Sequence, residues 1–433
     1  MPEGPAPASG GPAPASNGTA RAPGPFTGLK VVEFGRFIAV PYCGQLLADG
    51  GADVVKVEPL GGDQSRSNGR LPTGDSRQFL NKNRGKRSLA ADLSSPALAG
   101  AISTLVTHAD VVLANFRPGV AARLGIDYET VAATNPRVVY AVNTAFGEHG
   151  PLGGAAGMDM VVQAYSGLCH MTAAGPQPQV ESIVDYTAAL LLSFGVATAL
   201  YHRERTGVGQ RLDVSLLHAS LFLQNNHVGH IEATDQWRSD LSTWLADAFA
   251  TGRDWADVLE QWQEVTGRSS TNAYYGIVRT ADGYLAIGSG GEDLRRRAAR
   301  VVGRFGDLPD PLGSPAHDGA ARAILATRPN AEWERLLVEA GVPVAPLRFR
   351  EQLVDDEQAW QNGCLVRVPH PRLGTLTLVG PPVALSASAF RAGGTPPDLG
   401  ADTVEVLEEL GLDAATVAEL VDEGVVVTAG VPT

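Results

Sequence analysis

The sequence predicts an α/β protein built around an open parallel sheet with helices on both faces, together with a smaller second domain. Three observations carry this. β-branched runs alternate with stretches of helical periodicity from residue 29 to residue 142, which is the pattern of repeated strand–helix–strand units. At 433 residues the chain exceeds one ordinary core. Its character also changes over residues 233–266, where Trp237, Trp244, Trp255 and Trp262 lie among many charges.

Leu29-Lys-Val-Val-Glu-Phe34 reads as the first strand, Pro41–Gly50 as a helix and Ala52-Asp-Val-Val-Lys-Val57 as the second strand. Ala97–His108 follows as a helix, Ala109-Asp-Val-Val-Leu-Ala114 as a strand, Tyr128–Ala133 as a short helix and Arg137-Val-Val-Tyr-Ala-Val142 as a strand. A Gly-rich loop covers residues 145–157, an apolar segment Met158–Leu168, and a long helix runs from Asp185 to about Arg205, ended by Thr206-Gly207. Arg211–Ser215 reads as a strand and Leu216–His230 as a helix. The Trp-rich segment reads as amphipathic helices, and Asp282-Gly283 as a hairpin turn. The expected organisation is a disordered tail at 1–25, a large domain from 26–231, a smaller domain at 232–340 and a return to the large domain over 341–433. The tail is almost all Pro, Ala, Gly and Ser and has no apolar stretch of signal-peptide kind.

Composition narrows the function. A net charge of −13 argues against a nucleic-acid partner, which needs clustered Lys and Arg, but leaves room for a small anionic ligand. The most apolar uncharged run, Ala188–Leu200, is shorter than the roughly 20 residues that span a bilayer, so no membrane role is expected. Cys43, Cys169 and Cys364 are far apart and odd in number, which suggests free thiols in a reducing, cytoplasmic compartment. The string His227, His230, Glu232 could place two imidazoles on one helical face, but nothing else supports a metal. No P-loop or G-x-S-x-G occurs, and no convincing GxGxxG.

Ordered blocks across residues 26–430 give the chain a relationship. They are Gly28–Phe34, Leu47–Pro59 with Gly61-Gly-Asp63, Asn83-Arg-Gly-Lys-Arg-Ser88 with Asp92, Asn115-Phe-Arg-Pro-Gly119 with Arg123-Leu-Gly125, Asp185, Glu204–Gln210 and Asp282-Gly283. Each is weak alone; in this order they resemble the class III CoA-transferases, a family that includes formyl-CoA and carnitine CoA-transferases and 2-methylacyl-CoA racemases. The resemblance implies a Rossmann-like large domain made from both chain ends, a smaller α/β domain between, and an interlocked homodimer. It also implies a CoA thioester as substrate, with no permanently bound cofactor and a carboxylic acid as second substrate.

The family nucleophile is an Asp that starts a helix after a short extended segment, and Val180–Val184 followed by Asp185 matches that place. A carboxylate attacks a thioester to give a mixed anhydride; an ordinary Asp, with a pKa of about 3.9, is already ionised and needs no general base. The competing reading makes Asp185 only a helix N-cap. Many relatives carry Gly four residues on, where this chain has Ala189. The resemblance points to Asn115, Phe116, Arg117 and Arg123 as CoA contacts. It sets Asn83, Arg84 and Lys86 near the nucleotide end and adds Arg66 after the Gly61-Gly-Asp63 loop. Any of these cations could equally be solvated surface charge, although Asn115–Arg117 falls at a strand end, where α/β folds bind ligands.

Phe37, Ile38 and Thr144 stand where formyl-CoA transferases line the site with polar or cationic side chains, so a less polar acyl group is expected; Phe37 and Ile38 could also be plain core. The glycine loop of formyl transfer is replaced by Gly267-Arg-Ser-Ser-Thr-Asn272, which makes formate and oxalate poor substrates. Racemases of the family place His-Asp where this chain has Met158-Asp159, and Met158 cannot accept a proton. Beside CoA transfer stand two alternatives: an isomerase or lyase on acyl-CoA, and a binding protein without turnover.

Overall fold

The computed structural model describes residues 23–71, 74–267 and 272–429. Most of the expected N-terminal tail, and Arg268–Thr271 of the segment that replaces the glycine loop, lie outside them. The chain divides into two units: residues up to 166 with 180–223 and 363 onward, and residues 167–179 with 224–362. The second is broader than the expected 232–340 and includes a short hairpin, His170–Thr172 against Gly175–Gln177.

The first unit is organised by a seven-stranded sheet. Its strands are β1 Lys30–Phe34, β2 Asp53–Glu58, β3 Arg87–Ala91, β4 Val111–Ala114, β5 Val139–Thr144, β6 Gln210–Ser215 and β7 Val426–Val427. They lie in the order β7-β3-β2-β1-β4-β5-β6. All neighbours run parallel except β7, which pairs antiparallel with β3 through Val426 and Ala91. The chain moves outward from β1 to β2 and β3, then crosses back to β4 and β5. The carboxyl ends of β1 and β4 therefore flank the point where winding reverses, the usual ligand crevice of such sheets.

Both faces are buried, so neighbouring residues of one strand feed different cores. Val32, Val55, Leu89 and Val112 pack with Leu98, Ile102, Leu105, Leu407 and Val417. Val31, Val54, Val111 and Val139 pack on the other side with α1 (Ala39–Asp49) and with Leu192 and Val196. Two further helices matter for the site: α2, Asp159–Ser166, and α3, Ile183–Thr206. The apolar content of α3 is that of a bilayer-crossing helix by length and composition, yet Val184, Ala188, Ala189, Leu192, Val196, Ala199 and Leu200 are buried. Ala189 thus fits the packed side of α3. Leu190, Phe194 and Tyr201 stay exposed. The helix stops at Gly207, whose φ of 78° a residue with Cβ adopts at a cost.

The second unit packs a three-stranded antiparallel sheet, in which Tyr284–Gly288 lies between Tyr275–Arg279 and Val344–Pro346, on helices Glu292–Val302, Pro315–Leu325 and Asn330–Glu339. Its core holds Val278, Leu285, Ile287, Val301, Leu325 and Trp333. Asp282-Gly283 sits in the loop joining the two hairpin strands, as its turn chemistry requires. The Trp-rich segment forms helices Gln236–Ala250 and Trp255–Thr266, and the indole N–H of Trp255 donates to the Thr172 carbonyl at 2.7 Å. Helix Leu216–Leu223 ends earlier than the expected His230. Leu373–Leu378 belongs to a separate hairpin, Leu365–His370 with Gly374–Val379.

Candidate active site

The carboxyl ends of β1, β4, β5 and β6 open into a cleft of about 560 Å³. Its wall combines Arg36 and Phe37 after β1, Asn115–Pro118 after β4, Asn143–Ala145 at the end of β5, and Leu216 after β6. The Gly-rich loop adds Gly147 and Gly154–Gly157, α2 adds Val161, and Asp185 enters from the first turn of α3. Seven expected residues thus meet in one place: Asp185, Phe37, Asn115, Phe116, Arg117, Thr144 and Met158. A second hollow of about 580 Å³ shares Arg36, Phe116 and Arg117 with the first and extends over Pro59–Gly61 and Ala91–Ser94.

Local hydrogen bonds set this wall. The Asn115 side chain forms a reciprocal pair with the backbone of Arg36, accepting from its N–H at 3.1 Å and donating to its carbonyl at 2.9 Å. Phe37 has a φ of 68°, left-handed for a bulky residue and worth about 1–2 kcal/mol of strain. Its N–H donates to Asp63 Oδ1 at 3.2 Å. The Phe116 ring packs on Phe34 with centroids 5.6 Å apart. Thr144 Oγ1 accepts from the Gly147 N–H at 3.0 Å, pinning the loop. Ile38 is buried at the start of α1 and does not line the cleft. Arg123 ends the short helix Val120–Arg123, exposed and outside both hollows.

Asp185 is not the N-cap of its helix. α3 begins two residues earlier, and its cap comes from another element: Asp159 Oδ2 accepts the backbone N–H groups of Val184 and Asp185, each at 2.9 Å. Gln163 donates to the other oxygen of Asp159, so this carboxylate is held on both sides and meets the N-terminal end of the helix dipole. The Asp185 carboxylate is left free to face the cleft. Burial, and next the charge of Asp159, push its pKa up to about 7, while Lys82 pulls it down. The expectation of a carboxylate fully ionised at neutral pH is corrected accordingly: near pH 7 it is divided between both forms.

Besides Arg123, four expected CoA contacts lie elsewhere. Arg66 binds Glu58 through two nitrogens at 2.8 and 2.7 Å, binds Asp75 at 3.0 Å, and stacks on the Phe79 ring. Arg84 forms a two-point pair with Asp49 and donates to the Val379 carbonyl. Lys86 is buried against Glu33, the Pro41 carbonyl and Asn83 Oδ1, and Asn83 donates to the Phe79 carbonyl. In this structure these side chains are engaged by internal partners. Sequence reading counted their charge without the carboxylates that neutralise it.

Other residues escaped sequence reading. Arg36 is exposed and common to both hollows; Asn143, Ala145 and Leu216 line the cleft. All of them stand at or just past strand ends, Leu216 directly after β6, so the crevice rule applied strand by strand would have found them. Lys82 is buried close enough to Asp185 to act on its charge, and precedes the block that was singled out by one residue.

This geometry has relatives. The model of CoA-transferase family III matches residues 26–403. A succinate–glutarate CoA-transferase of Agrobacterium fabrum is 31% identical over 410 residues, covering 89% of this chain and 96% of that protein. An acetyl-CoA:oxalate CoA-transferase of Acetobacter aceti is 31% identical over 382 residues, covering 85% and 90%. Among solved structures, the Rv3272 protein of Mycobacterium tuberculosis is 27% identical and superposes with a TM-score of 0.71 over 89% of this chain and all of its own. With the family model spanning most of the chain, the protein belongs to CoA-transferase family III and is a CoA-transferase.

Proposed function

We propose that the protein is an acyl-CoA:carboxylate CoA-transferase in which Asp185 carries the acyl group and then CoA. The observation behind this reading is a partly buried carboxylate, freed from capping by Asp159, facing a cleft at the winding reversal of the sheet. An Asp185 oxygen attacks the thioester carbonyl; the C–S bond breaks and CoA leaves as thiolate, giving a mixed anhydride. The thiolate attacks the aspartyl carbonyl and releases the donor acid, which leaves an aspartyl-CoA thioester. The acceptor carboxylate attacks that thioester, and the returning thiolate takes the acceptor's acyl carbon and frees Asp185. No proton is consumed. Arg36 and Arg117, exposed where the hollows join, suit the negative charge of the CoA chain.

The acyl end of the cleft combines Phe37, Ala145, Met158, Val161 and Leu216 with Thr144 and Asn143, which favours an acid with an apolar body. The relative from Acetobacter aceti is named for oxalate, so an acid panel is decisive. Incubation with acyl-CoA donors and carboxylic acids, followed by hydroxylamine or borohydride and mass spectrometry, is expected to show modification at Asp185 and turnover with apolar acids. Formate or oxalate as the best acceptor would refute the substrate reading, and solvent-deuterium exchange at the α-carbon without trapping would favour an isomerase.

We also propose a homodimer, supported by the uncovered stripe Leu190, Phe194 and Tyr201 on α3; Phe194 is 72% exposed. Sedimentation at micromolar concentration is expected to give twice the chain mass. A monomer would remove this proposal.

A further inference from the structure

Asn143 is the one residue of the cleft wall, among the described residues, with a buried side-chain polar atom that lacks a hydrogen-bond partner. It stands next to the end of β5, opposite Val214 of β6, and is 6% exposed. Its Oδ1 has no donor. The neighbouring polar groups are satisfied from within: Asn115 by the Arg36 backbone and the Thr144 hydroxyl by Gly147. A buried acceptor without a donor opposes folding, whereas an aliphatic side chain of the same size at this place would not. A ligand that brings a donor into the cleft removes the penalty once the Asn143 amide turns its oxygen, shielded in this structure, toward that donor.

The chemistry of the missing donor narrows the ligand. Carboxylates and the thioester carbonyl are acceptors only, and none can serve Oδ1. CoA, however, carries amide N–H groups along its pantetheine arm, one of them in the cysteamine part next to sulfur. Asn143 and Asp185 line the same cleft, so a thioester brought to Asp185 takes that cysteamine amide with it. We propose that Asn143 Oδ1 accepts a hydrogen bond from the cysteamine amide N–H of CoA and so seats the thioester beside Asp185. This rests on the reading of the cleft as the acyl-CoA site given above. It gives the cleft a grip on CoA that does not depend on the acyl group, which a transferase needs when one acid replaces another on the same thiol.

The test is a cycle between side chain and ligand. Affinity is measured by calorimetry for CoA and for an analogue in which an ester oxygen replaces the cysteamine N–H, on the wild type and on Asn143→Leu. Wild type is expected to bind the analogue roughly tenfold more weakly than CoA, about 1.4 kcal/mol. The variant is expected to lose about the same factor toward CoA and nothing further toward the analogue, while its denaturation midpoint is equal to or above that of wild type. A purely structural amide gives the reverse: a lower midpoint and the same preference for CoA over the analogue as wild type, which overturns the proposal. Asn143→Ala removes the same atom with less bulk and is read in the same way if the leucine variant does not fold. Labelling of Asp185 in a protein indifferent to the amide sinks only the role of Asn143. An intact amide preference with no label on Asp185 sinks the covalent reading instead.

Discussion

Replacing Asp185 with alanine is expected to lower CoA exchange by at least about a thousandfold, with the affinity for CoA nearly unchanged. The large factor follows from the role: without the carboxylate no anhydride forms, and a nucleophile is not replaced by the binding interactions around it. The small effect on binding follows from geometry, since the remaining cleft wall is carried by other strands. Full activity of the alanine variant would end the mechanism.

The same carboxylate has a second signature. Its pKa is raised to about 7 by burial and by Asp159, so kcat/KM is expected to fall about tenfold per pH unit below that value as the nucleophile is protonated. Stability has the opposite sense. The folded-state pKa lies above the unfolded value, so ionisation favours the unfolded chain. Stability is therefore lost as pH rises from about 4 to about 7, and remains lost above. Asp185→Asn is thus expected to be more stable than wild type at pH 8 by on the order of 2 kcal/mol, a value reduced from the full conversion because the carboxylate partly meets solvent. The gain should vanish below pH 4. Denaturation at both pH values checks it; equal stability at pH 8 would mean the carboxylate is not desolvated.

Although β3, Arg87-Ser-Leu-Ala-Ala91, carries no β-branched residue and escaped reading, β1, β2, β4, β5 and β6 were legible, because a parallel sheet buried on both faces leaves dense β-branched runs such as Val31-Val32 and Val111-Val112. The edge strand β7 was not, since Val426-Val427 is too short to carry a pattern. Asp185 was legible only through resemblance: taken alone, a helix-opening Asp reads as a cap. The true cap, Asp159, comes from a different helix, and no local spacing announces a hydrogen bond across 26 positions. Arg66, Arg84 and Lys86 show the converse case. A basic residue on a predicted loop looks available to an anion, and only the fold brings Glu58, Asp49 and Glu33 onto those three cations.

Substitution of Lys56 by methionine is expected to destabilise the protein by about 3–5 kcal/mol, a penalty typical of orphaned buried charges. Lys56 Nζ lies 2.9 Å from Glu33 Oε1, 3.0 Å from Asp63 Oδ2 and 2.6 Å from the Gly35 carbonyl, and Lys86 Nζ closes the group at 2.7 Å from Glu33 Oε2. Two cations and two carboxylates balance inside the protein. Burial lowers the pKa of Lys86 to about 8 even beside Glu33, so it is a poor substitute for the missing charge. α1 admits Glu33 only because Gly44 has no side chain; a Cβ there would lie 1.9 Å from Glu33 Oε2. With methionine at position 56, the two carboxylates face one weakened cation. Adding Glu33→Gln should restore part of the loss, because it removes one orphan, and such neighbours are not additive. Urea denaturation of the single and double variants measures this; a single-variant loss under about 1 kcal/mol would show the charges are hydrated. The consequence reaches the cleft. Lys56 holds Asp63, Asp63 holds the N–H of Phe37, and Phe37 keeps a left-handed backbone only while that hold is firm. The ion group at the foot of β1 and β2 therefore shapes the wall against which the acyl group must fit.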